Sequence, residues 1–315
     1  MLPERTSEFR LIESFRAAIE SSPYVLTGIG DDTAVVERPD GPVLLAADML
    51  LEGVHFDLAT ATPFQVGRKV LAVNLSDVAA MAGRPKYAII SLALHRRLSE
   101  KSDGRFAEQL FEGLHSLAKE FDTTIVGGDT NSWDGPVVIN VAIVGVVPSG
   151  EAVTRSGAKP GDWIFVTGSL GRSITGHHLD FTPRVNEALA LREFCQLNSM
   201  IDVSDGLVAD LYHILEESGV GACLHATSIP ISEAAASATD DRTPLEHALG
   251  DGEDFELLFT VSPEDGQRLV SNNPLTIPLS HIGEIVTGDS CRLREESGKE
   301  NTLPRLGWSH NVNQP

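Results

Sequence analysis

The stretch from Thr62-Pro63 to Met81 constrains this chain more than any other. Thr62 suits a helix N-cap, Pro63 suits the first helical position, and no Gly or Pro interrupts from Arg68 to Ala82. Read as one helix, Val66, Val70, Val73, Asp77 and Met81 recur at spacings of three and four. Asp77 then lies in the apolar stripe, where a carboxylate must be paired, hydrogen-bonded or bound to a metal. The alternative is a helix that restarts with Ser76 as its cap, which leaves Asp77 in a first turn where acids are at home. The company Asp77 keeps along the chain favours the interior position.

Length and charge narrow the partners. The 315 residues, 42% hydrophobic, are enough for two domains. With 24 Lys+Arg against 45 Asp+Glu, the formal charge is −21. That balance argues against nucleic acid or an anionic membrane as the main partner. Cys195, Cys223 and Cys291 are odd in number and share no CxxC spacing, so neither a disulfide framework nor a zinc site is indicated. The first residues lack the apolar core of a signal peptide, and the longest apolar run, Val137 to Val147, is too short to span a bilayer. A soluble protein in a reducing compartment is expected, most simply the cytoplasm.

In chain order, Phe9 to Ile19 has helical periodicity. Thr33 to Val36 and Val43 to Ala47 read as two strands joined by a Pro-Asp-Gly turn. Tyr87 to Leu94 is β-rich, Phe106 to Phe121 is an amphipathic helix, and a short strand leads into Gly127-Gly128-Asp129-Thr130. Val137 to Val147 is a long strand, and Pro148-Ser149-Gly150 is the best boundary, giving domains 1–148 and 149–315. Beyond it come the strand Trp163 to Thr167 and Gly168-Ser169-Leu170-Gly171, which is expected to open the next helix. Asp202-Val203-Ser204-Asp205-Gly206 then leads into the helix Leu207 to Glu217, and Gly252-Glu253-Asp254 precedes the strand Phe255 to Val261. Alternating strands and helices in both halves indicate an α/β or α+β fold.

Glycine-flanked acids recur at strand ends and helix starts: Asp31 and Asp32, Asp129, Asp205, and Asp251 with Glu253 and Asp254. Glycine permits close backbone approach, and Asp offers hard oxygen to Mg²⁺; any one pair alone reads first as a turn. If they converge, carboxylates about 4 Å apart repel by ~4 kcal/mol each pair at an effective dielectric near 20. A cluster on that scale needs divalent cations or cationic partners. Without His or Cys ligands the cation is Mg²⁺, which works on phosphates. No P-loop or kinase catalytic-loop motif is present. From residues alone the chain is a Mg²⁺-dependent enzyme acting on phosphates.

Gly28-Ile29-Gly30-Asp31-Asp32, Asp48 to Phe56, Asn74 to Met81, Gly127 to Asp129, Thr154 to Gly168, Asp202 to Leu207 and Gly252 to Asp254 occur in one order that resembles the thiamine-monophosphate kinase family. That family lies in the superfamily of aminoimidazole ribonucleotide synthetase and selenophosphate synthetase. The resemblance covers nearly the whole chain. It implies an N-terminal α/β domain that dimerises into a shared barrel, a C-terminal α+β domain, and ATP bound at the acidic cleft between them. The implied reaction transfers the γ-phosphoryl group of ATP to thiamine monophosphate. Asp32, Asp48, Asp77, Asp129, Asp202 and Asp205 are implied as Mg²⁺ ligands, several ions being held. Gly128, Asp129, Arg155 and Ser204 are implied as ATP contacts, and His55, Glu253 and Trp308 as substrate contacts. Since the nucleophile is an ionised phosphate oxygen, no residue is assigned as general base.

Three departures stand out. Ala46 and Ala47 occupy positions where the family usually has hydroxyl residues, the chain between Gly171 and Pro183 is short, and Asp251 stands where glycine is usual. Rival readings are another ATP-using member of the superfamily, a Mg²⁺-dependent phosphohydrolase, and a non-catalytic nucleotide-binding module.

Overall fold

The structure is a computed structural model that describes residues 7–20, 22–30, 32–96, 98 and 105–308, with the side chains of 7–9 left aside. Asp31 lies outside the described residues. The chain divides into two compact units, one of residues 1–78 and 84–150 and one of 79–83 and 151–315.

In the first unit the helix foreseen around Asp77 is continuous. It runs as α2, Pro63–Ala80, after α1, Ser7–Ala18. Its start is a capping box: Thr62 Oγ1 accepts the Gln65 N–H at 3.2 Å, and Gln65 Oε1 accepts the Thr62 N–H at 3.1 Å. No restart occurs at Ser76. The apolar surface, however, is no narrow stripe. Val66, Val70, Leu71, Ala72, Asn74, Leu75, Ser76 and Val78 are all buried, so α2 is a core helix enclosed on most sides.

Strands β3 (Val43–Leu51), β4 (Arg84–His95), β5 (Thr124–Trp133) and β6 (Val138–Val146) form a sheet in the order β3-β6-β4-β5. Only β4–β5 is parallel. Leu50, Ala88, Ile90, Ile139, Val141 and Ile143 point to the buried face, on which Val78 of α2 packs against Gly145. Helix α3, Phe106–Glu120, crosses α2 where two glycines meet the opposing backbone. A Cβ on Gly67 would run into the Leu110 carbonyl, and one on Gly113 into that of Phe64. Gly113→Ala is therefore expected to cost about 3 kcal/mol by overpacking. Urea unfolding checks this; unchanged stability would mean that the helices tolerate a wider crossing.

The ribbon at the start of the unit differs from the expected hairpin. Val35–Val36 (β2) pairs antiparallel with Val25–Thr27 (β1), while β3 pairs with β6. Pro39-Asp40-Gly41 thus connects two separate sheets. The nine residues of β3 find a long partner in β6, and a two-residue strand could not compete with that ladder.

In the second unit, among the described residues, seven strands form one sheet in the order β13-β12-β9-β11-β7-β10-β8. These are β7 Trp163–Thr167, β8 Leu197–Asp202, β9 Gly221–His225, β10 Leu257–Val261, β11 Leu279–Val286, β12 Cys291–Arg294 and β13 Glu300–Leu303. The pairs are antiparallel except β9–β12. Helix α4 is Val185–Phe194, and α5, Leu207–Ser218, lays Leu207, Leu211, Ile214 and Leu215 into a core with Ile164, Val166, Leu224 and Leu258. The fold is mixed α/β.

Two boundaries depart from expectation. Gly168 to Gly171 opens no helix: Leu170 bridges to Ile231, and the chain turns through a 3₁₀ segment at Ser173–Thr175. Strand β10 begins at Leu257 because Glu253 and Phe255 hold φ of 68° and 51°, which no strand accommodates. Cys195, Cys223 and Cys291 are buried free thiols, and burial pushes Cys195 and Cys291 up to about 12. Among the described residues no helix is long and apolar enough to cross a membrane.

Candidate active site

Asn74 fastens β3 to α2. Fully buried, it accepts the Asp48 N–H on Oδ1 at 3.2 Å and donates Nδ2 to the Val70 carbonyl at 3.0 Å. Asp48 is thereby set within hydrogen-bonding reach of Asp77. Burial raises the Asp48 carboxyl above its ordinary range, and the Asp77 contact offsets part of that rise. Two half-buried carboxyls in contact call for a shared proton or a cation. Ala46, two residues before Asp48, shares its face of β3, and Ala47 lies on the other. Only a hydroxyl at position 46 would therefore bear on this pair.

A second group surrounds a cavity of about 1270 Å³ in the same unit. Gly28, Gly30, Asp32, Ser91, Gly128 and Asp129 line it. Asp129 accepts Asn131 Nδ2 at 2.7 Å. It lies within β5, not in a turn or at a strand end, and Gly128 is required beside it because a Cβ there would strike the Ile90 carbonyl. Asp48, Val141, Ile90 and Gly128 form one row across the sheet, and Met49, Asn140, Ser91 and Asp129 form the next. Side chains alternate, so Asp129 leaves the sheet on the face opposite Asp48. The first unit thus presents two acidic groups, Asp48 with Asp77 and Asp32 with Asp129.

His55 holds a turn: its Nδ1 accepts the Leu51 N–H at 3.0 Å, and its carbonyl accepts the Lys69 ammonium at 2.6 Å. Lys69, 1% exposed, is a residue that reading the sequence missed. It reads as one more polar position on a helix until the helix proves to be enclosed.

In the second unit three loops meet at glycines. A Cβ on Gly252 would contact the Ser204 carbonyl at 2.5 Å, one on Gly206 the Asp251 carbonyl at 3.0 Å, and one on Gly307 the Asp205 carbonyl at 2.6 Å. The Trp308 N–H donates to the Asp205 carbonyl at 2.9 Å, and the Glu253 N–H to the Ser204 carbonyl at 2.7 Å. Ser204, Asp205, Glu253 and Trp308 are thereby brought together, with the Trp308 side chain 60% exposed. Asp202, at the end of β8, enters the same loop.

Asp210 organises that loop. One of its oxygens accepts the N–H groups of Ser204, Asp205 and Gly206 at 3.0, 3.0 and 3.1 Å. Burial, with the nearby Asp202 and Asp205 charges, holds its carboxyl well above the usual range. It too was missed. Asp210 sits three residues after Leu207 on the buried stripe of α5, so the periodicity that singled out Asp77 contained the signal. Arg155 is exposed on a loop whose Gly157 and Ala158 N–H groups donate to Ser218 Oγ. His213 is held below its usual value by burial, then by Arg305 and Arg155, while Asp205 acts the other way, so Arg155 and Asp205 share a neighbourhood.

Asp254, 1% exposed, accepts the Gly171 N–H and the Ser173 hydroxyl. Burial pushes it up to about 7, those hydrogen bonds opposing the shift. The folded chain keeps a proton that the unfolded chain, near 3.8, gives up. Its contribution is complete below pH ~4 and declines as pH rises through ~7, by on the order of 4 kcal/mol in all. Asp254→Asn is expected to flatten that slope, read as urea stability at pH 5 and pH 8; an unchanged slope would place the titration elsewhere.

The candidate ligands are all oxygens, which suits Mg²⁺ over zinc. Among the described residues no three His, Cys, Asp or Glu side chains close into a metal cage. Mg²⁺ keeps several waters and takes phosphate oxygens from its substrate, so paired carboxylates fit it without one.

Residues 30–147 match the family model for AIR synthase related protein, N-terminal domain. A thiamine-monophosphate kinase of Rhodopirellula baltica is 38% identical, covering 94% of each chain. The crystal structure of thiamine-monophosphate kinase from Stenotrophomonas maltophilia K279a is similar at 34% identity and a TM-score of 0.77, over 91% of this chain and 96% of that one. The structure of AaThiL complexed with AMPPCP and TMP gives 32% and 0.73, over 98% and 100%. Identity at this level across both units is carried by one sequence lineage and not by fold alone: the chain belongs to the thiamine-monophosphate kinase family.

Proposed function

We propose that this protein phosphorylates thiamine monophosphate with ATP, giving thiamine diphosphate and ADP. The observation that carries this reading is 38% identity over 94% of both chains to a thiamine-monophosphate kinase, in a chain that also holds its acids in paired, partly buried groups. Asp32, Asp48, Asp77 and Asp129 of the first unit and Asp202 and Asp205 of the second are the groups that hold Mg²⁺. When bound, Mg²⁺ neutralises phosphate charge and aligns the triphosphate for in-line displacement. Two acidic groups in the first unit favour more than one ion.

The chain's own residues supply position. Gly128 lets the backbone of β5 approach a phosphate closely, and Ser204 and Arg155 offer hydroxyl and guanidinium contacts to ATP. Trp308 offers a flat face to a heterocycle, while His55 and Glu253 contact the acceptor. The attacking oxygen of thiamine monophosphate is already ionised, so the bond to the γ-phosphorus forms and the bond to ADP breaks without a base from the protein.

The test mixes protein, Mg²⁺ and ATP with thiamine or with thiamine monophosphate in separate tubes. Thiamine diphosphate is expected from the monophosphate alone. ADP release without an acceptor would instead indicate a phosphohydrolase.

The exposed face of the first sheet favours a homodimer. Leu45 is 77%, Met49 56%, Val43 46% and Ile89 44% exposed, an apolar surface suited to a second copy. Leu45→Asp is expected to shift the protein toward a monomer in sedimentation; a wild-type profile would point away from this face.

A further inference from the structure

The short segment 171–184 is tied to 251–256 almost residue by residue. The Arg172 N–H donates to Asp251 at 3.0 Å, the Gly171 N–H to Asp254 at 3.0 Å, and Phe181 stacks on Phe255 with ring centroids 4.3 Å apart. Arg184 grips Glu256 through Nε and Nη2 at 2.8 and 2.5 Å. Within this frame His178, 6% exposed, sets its Nδ1 3.6 Å from Glu253 Oε2, an ion-pair distance.

Glu253 needs such a frame. It and Phe255 both hold left-handed backbone, a strain that the surroundings must offset. Fixing the backbone at φ 68° leaves the carboxylate direction to its side-chain neighbours. Buried, and carried by a segment anchored at both ends, His178 is a neighbour able to hold it.

We propose that His178 is the positioning residue for Glu253, and that the segment around it braces the acceptor pocket, so that His178 governs affinity for thiamine monophosphate and leaves ATP affinity unchanged. This rests on reading Glu253 as an acceptor contact. The chemistry is coherent: thiamine carries a cationic ring and an amino group, and a fixed carboxylate favours both while repelling a phosphate. The short segment then builds the acceptor side of the site by direct contact with 251–256.

The test is steady-state kinetics of the full-length protein with His178→Ala, with His178→Leu, which fills the space without a polar atom, and with His178→Asn, which restores one near the Nδ1 position. Alanine and leucine are expected to raise KM for thiamine monophosphate about tenfold with kcat and KM for ATP within about twofold, and asparagine to recover most of the loss. In a Glu253→Gln background the His178 changes should add little, since one acts through the other. Equal losses in kcat and in both KM values, or multiplicative losses in the double variants, would overturn the proposal and leave a structural role. If Glu253→Gln raises KM for thiamine monophosphate and His178→Leu does not, this proposal fails alone. A Glu253→Gln variant with unchanged KM removes the acceptor reading and this proposal together.

Discussion

Asp129→Asn and Asp205→Asn are each expected to lower thiamine diphosphate formation by about a thousandfold or more while leaving the melting temperature unchanged or slightly raised. Asparagine is isosteric and keeps an acceptor toward Asn131, but it removes the charge that would balance the proposed cation. Asp129 is exposed in a cavity and Asp205 half-exposed in a loop shaped by Asp210, so neither carboxylate supports the core. Removing one of several neighbouring negative charges relieves repulsion in the free protein. Loss of turnover with retained stability separates a ligand from a structural acid. Wild-type turnover in either variant would remove that residue from the site.

The largest expected loss of stability is at Arg184. Its guanidinium makes two hydrogen bonds to Glu256, whose side chain is 3% exposed and also accepts the Thr167 hydroxyl at 2.5 Å. Arg184→Ala would leave a buried carboxylate without its cation, at a cost of about 3–5 kcal/mol. A fall in melting temperature of roughly 10 °C follows for a unit of this size. Replacing both partners, Arg184→Met with Glu256→Met, should cost much less, since the desolvation penalty disappears with the charges. Equal losses in the single and double variants would mean that lost packing, not an orphaned charge, sets the cost.

Local signals in the sequence are legible where they are strong. Thr62, Pro63 and the uninterrupted run after Gly67 describe α2, and its periodicity put Asp77 inside, where it meets Asp48. Failures fell where distant partners decide. Nothing around Pro39-Asp40-Gly41 says that β3 will find β6 a hundred residues on instead of β2 beside it. The strand character of Asp129 is equally non-local: Gly127-Gly128 reads as a turn until β4 is seen beside it, leaving no room for a Cβ on Gly128. Asp210 is legible in the buried stripe of α5, three residues after Leu207, although the Ser204-Asp205-Gly206 motif beside it is the stronger local signal. His178 was not legible, since only the folded chain brings it to Glu253.

On the proposed function, these carboxylates accept a triphosphate only with magnesium between them. Calorimetric titration of a non-hydrolysable ATP analogue into the protein, with Mg²⁺ and with chelator, measures this directly. Affinity is expected to fall at least a hundredfold without Mg²⁺, and Asp48→Asn to weaken only the Mg²⁺-dependent part. Equal affinity in chelator and in Mg²⁺ would contradict the account, because the nucleotide would then be held by contacts other than these acids.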